Sequence, residues 1–329
     1  MSFAALVVGS MLIWEVVAPS RSTQGIQGKP VAKLAKYEHR VRLRPAGSPA
    51  WDDAEIGYEL FDKDQLFTGS ASTAQIKIED SSTLDLGENS LVIIDGKNNT
   101  ETSINLVRGL ANIVANSVEK PITVVVGKRK LTLTGKKSDL QLVSRSDGTT
   151  AVTVLKGDVK IVDGKKTQNV TQGQAVPLSE KEGILPVEQL PVLLQSPPRD
   201  TRMLLDPQKK KGEVLFTWQN TKTEANLELE LSSTQDFSTL LSKPTIPASQ
   251  QHSSLMIEPG TYYWRIRSTD AQSRKSLFSE ARRLMVLMDV PPSLVLPYTD
   301  QQIQPHSKDN DEKPQGFVNF QWDAASNIA

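Results

Sequence analysis

The 329-residue chain contains no cysteine. That absence removes structural disulfides, thiolate zinc sites, iron–sulfur clusters and cysteine nucleophiles together. It fits any compartment, an oxidising one included, because no thiol is there to mispair. Histidine is nearly as scarce: His39, His252 and His306 lie too far apart for any short metal-ligand spacing, and none accompanies a candidate serine nucleophile. An excess of either charge is missing too. The 38 Lys and Arg balance 38 Asp and Glu, which argues against bulk attraction to nucleic acid or anionic lipid. Aromatic residues make up only 5%. These shortages point away from an enzyme, so no catalytic, cofactor-binding or metal-ligating residue is assigned and no cofactor is expected. Asp52 with Asp53 and Asp62 with Asp64 come nearest to the paired acids of a glycan hydrolase, but adjacent acids on a loop aim in different directions.

One long apolar run stands at the amino terminus, Phe3 to Ala18, broken only by Glu15. A membrane-spanning helix takes about 20 apolar residues, and about 17 is the short end of the range. The run reads first as a transmembrane anchor; a cleaved signal peptide and a buried helix are the alternatives, although a basic n-region and a good small-residue cleavage site are both wanting. Arg21, Lys29, Lys33, Lys36, Arg40, Arg42 and Arg44 follow the run and no basic side chain precedes it. Taken literally, the positive-inside rule puts the carboxyl-terminal side in the cytoplasm.

From residue 37 to 178 the pattern is that of strands. Gln75–Glu79, Leu84–Leu86, Leu131–Leu133, Leu140–Leu142 and Val152–Val154 alternate apolar and polar, which places every second side chain on one face of a sheet. Asp95-Gly96, Gly127-Lys128, Gly135-Lys136, Asp147-Gly148 and Asp163-Gly164 separate them and suit tight hairpin turns. No long helical period intervenes, so an all-β domain is expected. Asp64 and Thr68 are read as satisfying backbone groups at a turn, Gly69 and Gly157 as turn residues, and Trp51 as a core or edge plug. Lys128-Arg129-Lys130 with Lys136-Lys137 either meets phosphate or an acidic polymer or forms a solvated hairpin that discourages edge pairing.

Within this region Pro45–Trp51, Gly57, Leu60, Asp64–Gly69, Ser72, Ala74–Asp80 with Ser82 and Leu84–Leu86, Ser90–Ile94, Ile104–Gly109, Val152–Val159 and Gln172–Ala175 occur in an order that resembles the FecR-domain pattern. The resemblance implies a bacterial envelope protein with an extracytoplasmic β domain, single-pass in the inner membrane with its bulk in the periplasm. The best-known members receive a signal from an outer-membrane transporter and control an extracytoplasmic-function sigma factor through a cytoplasmic segment ahead of the span. Here Met1 and Ser2 stand in that place, and a start codon further upstream would restore such a segment. The first expectation is therefore a non-catalytic, membrane-anchored binder of an envelope protein, peptidoglycan or polysaccharide, with no nucleic-acid partner. A transmembrane regulator of a sigma factor is the alternative.

Residues 179–196 read as a proline-bearing linker and 21–36 as another, after an anchor over 1–20. Between 197 and 290, Val214–Trp218, Asn226–Ser232 and Gly260–Ser268 alternate, predicting a β-sandwich. Trp218 and the Tyr262-Tyr263-Trp264-Arg265 strand resemble a fibronectin type III or related immunoglobulin-like module, with Trp218 in its core. Alternation sets Tyr262 and Trp264 on one face and Tyr263 and Arg265 on the other, one set buried and one exposed. Val214–Trp218 recurs about 104 residues later as Val318–Trp322, each after a proline pair. Residues 291–329 thus read as the start of a truncated second sandwich, its lone strand poorly ordered or in need of a partner. The charged stretch Lys308–Lys313 reads as a disordered loop.

Overall fold

A computed structural model describes residues 29–289 except 79–81, 97–101, 117–121, 134–136, 146 and 222–224, together with 293–296 and 321–323. The apolar run Phe3–Ala18, Lys136, the charged stretch 308–313 and Val318–Phe320 lie outside the described residues. The described chain is all β, and no helix in it is long and apolar enough to cross a membrane.

The first unit is a roll of two facing sheets between which the chain steps back and forth. Ala32–Glu38 lies in one sheet, Val41–Arg44 and Gln65–Thr68 in the other, Thr73–Ile78 and Ser82–Leu86 in the first again, and Leu91–Asp95 in the second. The long strand Thr102–Ala115 belongs to both. Its segment up to Arg108 pairs with Leu91–Asp95, and from Gly109 onward it pairs with Ser138–Ser144. Gly109 makes this step possible: its φ is +96°, and a Cβ there would lie 2.3 Å from Ser90 Oγ. The device recurs where Thr149–Lys156 passes through Gly157, φ +77°, into Asp158–Asp163, with Ser138 Oγ 2.7 Å from where a Cβ would be. Ser90 with Gly109 and Ser138 with Gly157 have the same sequence separation, so the roll contains an internal repeat that hydrophobic alternation did not reveal.

Period-2 alternation explains the core. Leu34, Leu66, Ile76, Leu84, Ile104 and Leu140 turn inward between the sheets and are completely buried. Each such side chain contributes about 1.5–3 kcal/mol relative to exposure. The core includes Ala32 and Leu34, and residues 32–38 form a strand paired with Thr73–Ile78, so the expected linker over 21–36 does not extend to its stated end. Gly127, Gly148 and Gly164 have positive φ at hairpin turns; Gly96 instead donates its N–H to Asp62 Oδ1. At Gly69 the constraint is space, because a Cβ would sit 3.3 Å from Arg40 O.

The second unit is a sandwich of a three-stranded sheet, Val192–Ser196, Gly212–Asn220 and His252–Ile257, against a sheet centred on Asn226–Ser232, Gly260–Thr269 and Arg282–Met288. Phe216 and Trp264 meet edge to face at 4.9 Å between ring centroids, and Trp218 is buried beside them in the same core. The stretch expected as a linker over 179–196 is structured. Glu188–Gln189 pairs with Gln174–Ala175, Val192 enters the second core, and Pro191 and Pro197 flank the Val192–Ser196 strand, where no central ladder N–H is lost.

Beyond residue 290, Ser293–Leu296 pairs with Gln321–Asp323. The register places Leu294 opposite Trp322 with a shift after Leu294; the same shift follows Leu194, which stands opposite Trp218. The strand expected to be alone therefore finds its partner within the chain, and the two openings repeat in pairing as well as in sequence.

Candidate functional site between the two β units

Alternation in Ser138–Ser144 sends Leu140 and Leu142 into the roll and Gln141 outward, yet Gln141 is buried because the second unit covers the outer face of that sheet. Its amide Nε2 donates to Ala281 O at 2.8 Å and to Asn112 Oδ1 at 2.9 Å, and its Oε1 accepts from Ala281 N at 2.7 Å. A second clasp lies nearby. Gln235 Oε1 accepts from Glu88 N at 2.8 Å, Glu88 Oε1 accepts from Gln235 N at 3.0 Å, and Gln235 Nε2 donates to Glu88 O at 3.1 Å. Gly87 lets this approach occur, since a Cβ there would be 2.1 Å from Gln235 Oε1.

Ion pairs join the same seam. Arg283 donates to Glu38 Oε2 at 2.9 Å and to Asp200 at 2.7 Å, and Arg202 also pairs with Glu38. Arg199 pairs with Asp139 and approaches Glu280 at 3.6 Å. Burial pushes the Glu38 carboxyl up, but the adjacent Arg283 and Arg202 outweigh it and hold Glu38 below its usual range. Burial raises Glu280, and Arg282 and Arg199 offset this only in part. Burial likewise raises Asp85, despite the hydrogen bond it accepts from Gln75.

Two clefts flank the seam. One, of about 510 Å³, is lined by Lys36, Glu38, Asp85, Arg202, Tyr263 and Arg283 among others. One of the two faces set by alternation was expected to be exposed, yet Tyr262 and Tyr263 are both buried, because the roll covers the outer face of their sheet. The other cleft, of about 780 Å³, has a floor that includes Leu110, Val143, Ala151 and Pro177 and walls bearing Arg108, Arg145, Phe237, Arg265 and Phe278. Arg265 is sandwiched between the rings of Phe237 and Phe278, 3.8 and 3.5 Å from their centroids, and donates to Glu230 Oε2 at 2.8 Å. Phe237 and Phe278 lie in loops remote from Arg265 in sequence, so no local pattern announces this stack.

Residues singled out in the sequence have mostly structural duties. Asp64 is buried, with Oδ1 accepting from Ala46 N at 2.9 Å and Oδ2 from Phe61 N at 3.0 Å. Thr68 Oγ1 donates to Gly87 O at 2.6 Å and accepts from Ser90 N at 2.9 Å. Trp51 meets Phe67 edge to face, under Arg44. Within the basic cluster Arg129 is buried and paired with Asp163 at 2.7 Å, so that part of the hairpin is not solvated. The candidate acid pairs do not converge. Asp64 is held by backbone amides, Asp62 accepts from Gly96, and Asp52 and Asp53 are consecutive exposed strand residues facing opposite ways. Among the described residues no cluster of His, Asp and Glu is arranged to hold a metal ion.

The family described as FecR protein matches residues 64–160. A FecR domain is present. Its matched span runs from the buried Asp64 through both glycine steps of the roll. An uncharacterized protein of Treponema pallidum (strain Nichols) is 24% identical over 307 residues, covering 87% of this chain and 44% of the relative. The chain thus spans less than half the length of that protein. Among solved structures, a candidate anti-sigma factor of Parabacteroides distasonis is similar at a TM-score of 0.34 and 12% identity over 48% of this chain and 84% of that one. The FN1–FN3 domains of chicken CNTN1 reach 0.22 and 8% over 79% and 96%. Scores this low carry no argument about function.

Proposed function

We propose that this chain is a non-enzymatic regulator of the bacterial envelope, which binds a protein partner through its β units and conveys that state to an extracytoplasmic-function sigma factor. The observation that carries the reading is the FecR match on residues 64–160, whose described residues belong to the β roll. In this reading the run Phe3–Ala18 anchors the chain in the inner membrane, the β units lie in the periplasm, and the protein they bind is an outer-membrane receptor. The second unit is a fibronectin type III-like module, a reading supported by Trp218 and Phe216 in its core and by the paired repeat at Trp322. Its seam with the roll is polar and closely bonded, as suits a relay that changes arrangement when a partner binds.

The test is a deletion of the gene, read by transcript profiling, combined with photo-crosslinking of the full chain in envelopes. A changed set of sigma-dependent transcripts and a crosslink to a receptor or sigma factor are expected. Unchanged transcription with a crosslink to peptidoglycan or to a structural envelope protein would overturn the regulator and leave an envelope binder.

A further inference from the structure

The larger cleft holds two arginines, Arg108 and Arg145, that the seam does not use. Its two acids are turned to backbone donors, Glu88 accepting from the N–H groups of Ala71 and Gln235 and Asp236 Oδ1 from Ser238 N, while Arg265 is already paired with Glu230. Behind the wall, Glu228 and Glu230 are met by Arg265, Arg267, Lys243 and Lys275, so this ladder also carries surplus positive charge. Arg108 and Arg145 are exposed at the cleft, and among the described residues neither makes a salt bridge; Arg108 lies against the Phe67 ring, 5.4 Å from its centroid, and Arg145 is near enough to the exposed Asp147 for their charges to interact. The same cleft is lined by the apolar side chains of Leu110, Val143, Ala151 and Pro177 and by Phe237 and Phe278. At about 780 Å³ the space falls within the range of about 300–1,000 Å³ common for ligand sites.

We infer that this cleft receives an acidic peptide segment of a partner protein, one in which carboxylates alternate with apolar side chains. The carboxylates meet Arg108 and Arg145, whose forked donors match carboxylate geometry. The apolar side chains cover the floor and the two phenylalanine rings. A bare anion would leave that floor wet, and an uncharged apolar peptide would leave both guanidinium groups unanswered. Charge complementarity together with the apolar floor therefore selects this occupant. The inference rests on the reading that the chain works by binding a protein, and it specifies where and with what chemistry.

The test uses the full chain in phosphatidylcholine nanodiscs and a fluorescein-labelled hexapeptide of alternating aspartate and leucine, with an asparagine–leucine peptide as control, read by anisotropy. The acidic peptide is expected to bind at least about ten-fold tighter than its amide counterpart, as one charge-assisted pair provides. Arg108→Ala with Arg145→Ala should abolish that preference, whereas Arg108→Lys with Arg145→Lys should retain part of it; thermal melting checks that each variant is folded. Equal binding of the two peptides, no binding of either, or a preference undiminished in the alanine variant would overturn the cleft assignment. So would tighter binding of a single-stranded oligonucleotide than of the acidic peptide. Loss of the cleft assignment while a receptor is still crosslinked leaves the regulator reading standing. Peptide binding without any transcriptional change removes the regulator and leaves the cleft.

Discussion

Gln141 and Ala281 exchange two hydrogen bonds across the seam, the glutamine amide donating to the alanine carbonyl at 2.8 Å and accepting from its N–H at 2.7 Å. A buried side-chain amide thus imitates a strand partner, and the two β units meet without sharing a sheet.

Gln141→Leu keeps the volume but strands the Ala281 backbone groups, at a cost of about 1–3 kcal/mol for unsatisfied buried polar atoms. Hydrogen exchange at the Ala281 amide should accelerate while Leu140 and Leu142 remain protected in the roll. Unchanged exchange at Ala281 would show that the clasp does not hold the seam.

Gly109→Ala forces a Cβ within 2.3 Å of Ser90 Oγ at φ +96°. Gly164→Ala meets open space at φ +58° and should cost about 1 kcal/mol for backbone conformation alone. The first substitution should exceed the second by at least about 2 kcal/mol in urea unfolding, because overpacking adds to the backbone term. Equal losses would mean that the strand crosses between sheets without needing the close approach to Ser90.

Thr68→Val removes the hydroxyl that bridges Gly87 O and Ser90 N and leaves both buried groups unpaired. A destabilisation of about 1–3 kcal/mol is expected. Thr68→Ser, which keeps the oxygen, should lose less; if it loses as much, the methyl contact and not the bridge is what matters.

Glu38 ionises more readily in the folded chain than at its ordinary value of 4.5, because Arg283 and Arg202 outweigh its burial. Its contribution is therefore present above about pH 4.5 and is lost as the pH falls through the lower folded value. Glu38→Gln should be less stable than wild type at pH 7, and the difference in melting temperature should shrink on acidification. Glu228 and Glu230 are also held low, but they titrate in both proteins and cancel in the comparison. A gap that widens in acid would refute this assignment.

Much of the first unit was legible because inward residues such as Ile76, Leu84 and Leu140 obey a period that any half-buried strand imposes. The duties of Asp64 and Thr68 were legible for a related reason: short polar side chains beside a turn find backbone amides nearby. Tyr263 and Gln141 were not legible, since alternation assigns them to an outer face and cannot tell whether another unit covers it. The arginine sandwich of Phe237, Arg265 and Phe278 was hidden for the same reason, its rings being brought in by loops.

By itself the sequence determined that the two units are all β, where their strands turn, that Trp218 lies in the core of the second unit, and that thiol chemistry is absent. These follow from local steric preference and from the transfer of apolar side chains out of water, which depend on neighbours in the chain. Only the tertiary structure decided that Gly109 and Gly157 are steps between sheets, that the Leu294 strand pairs with the strand of Trp322, and that the two units close on a polar seam with an arginine-bearing cleft beside it. Those features depend on which surfaces meet across long stretches of chain, and a one-dimensional pattern of polarity carries no record of that.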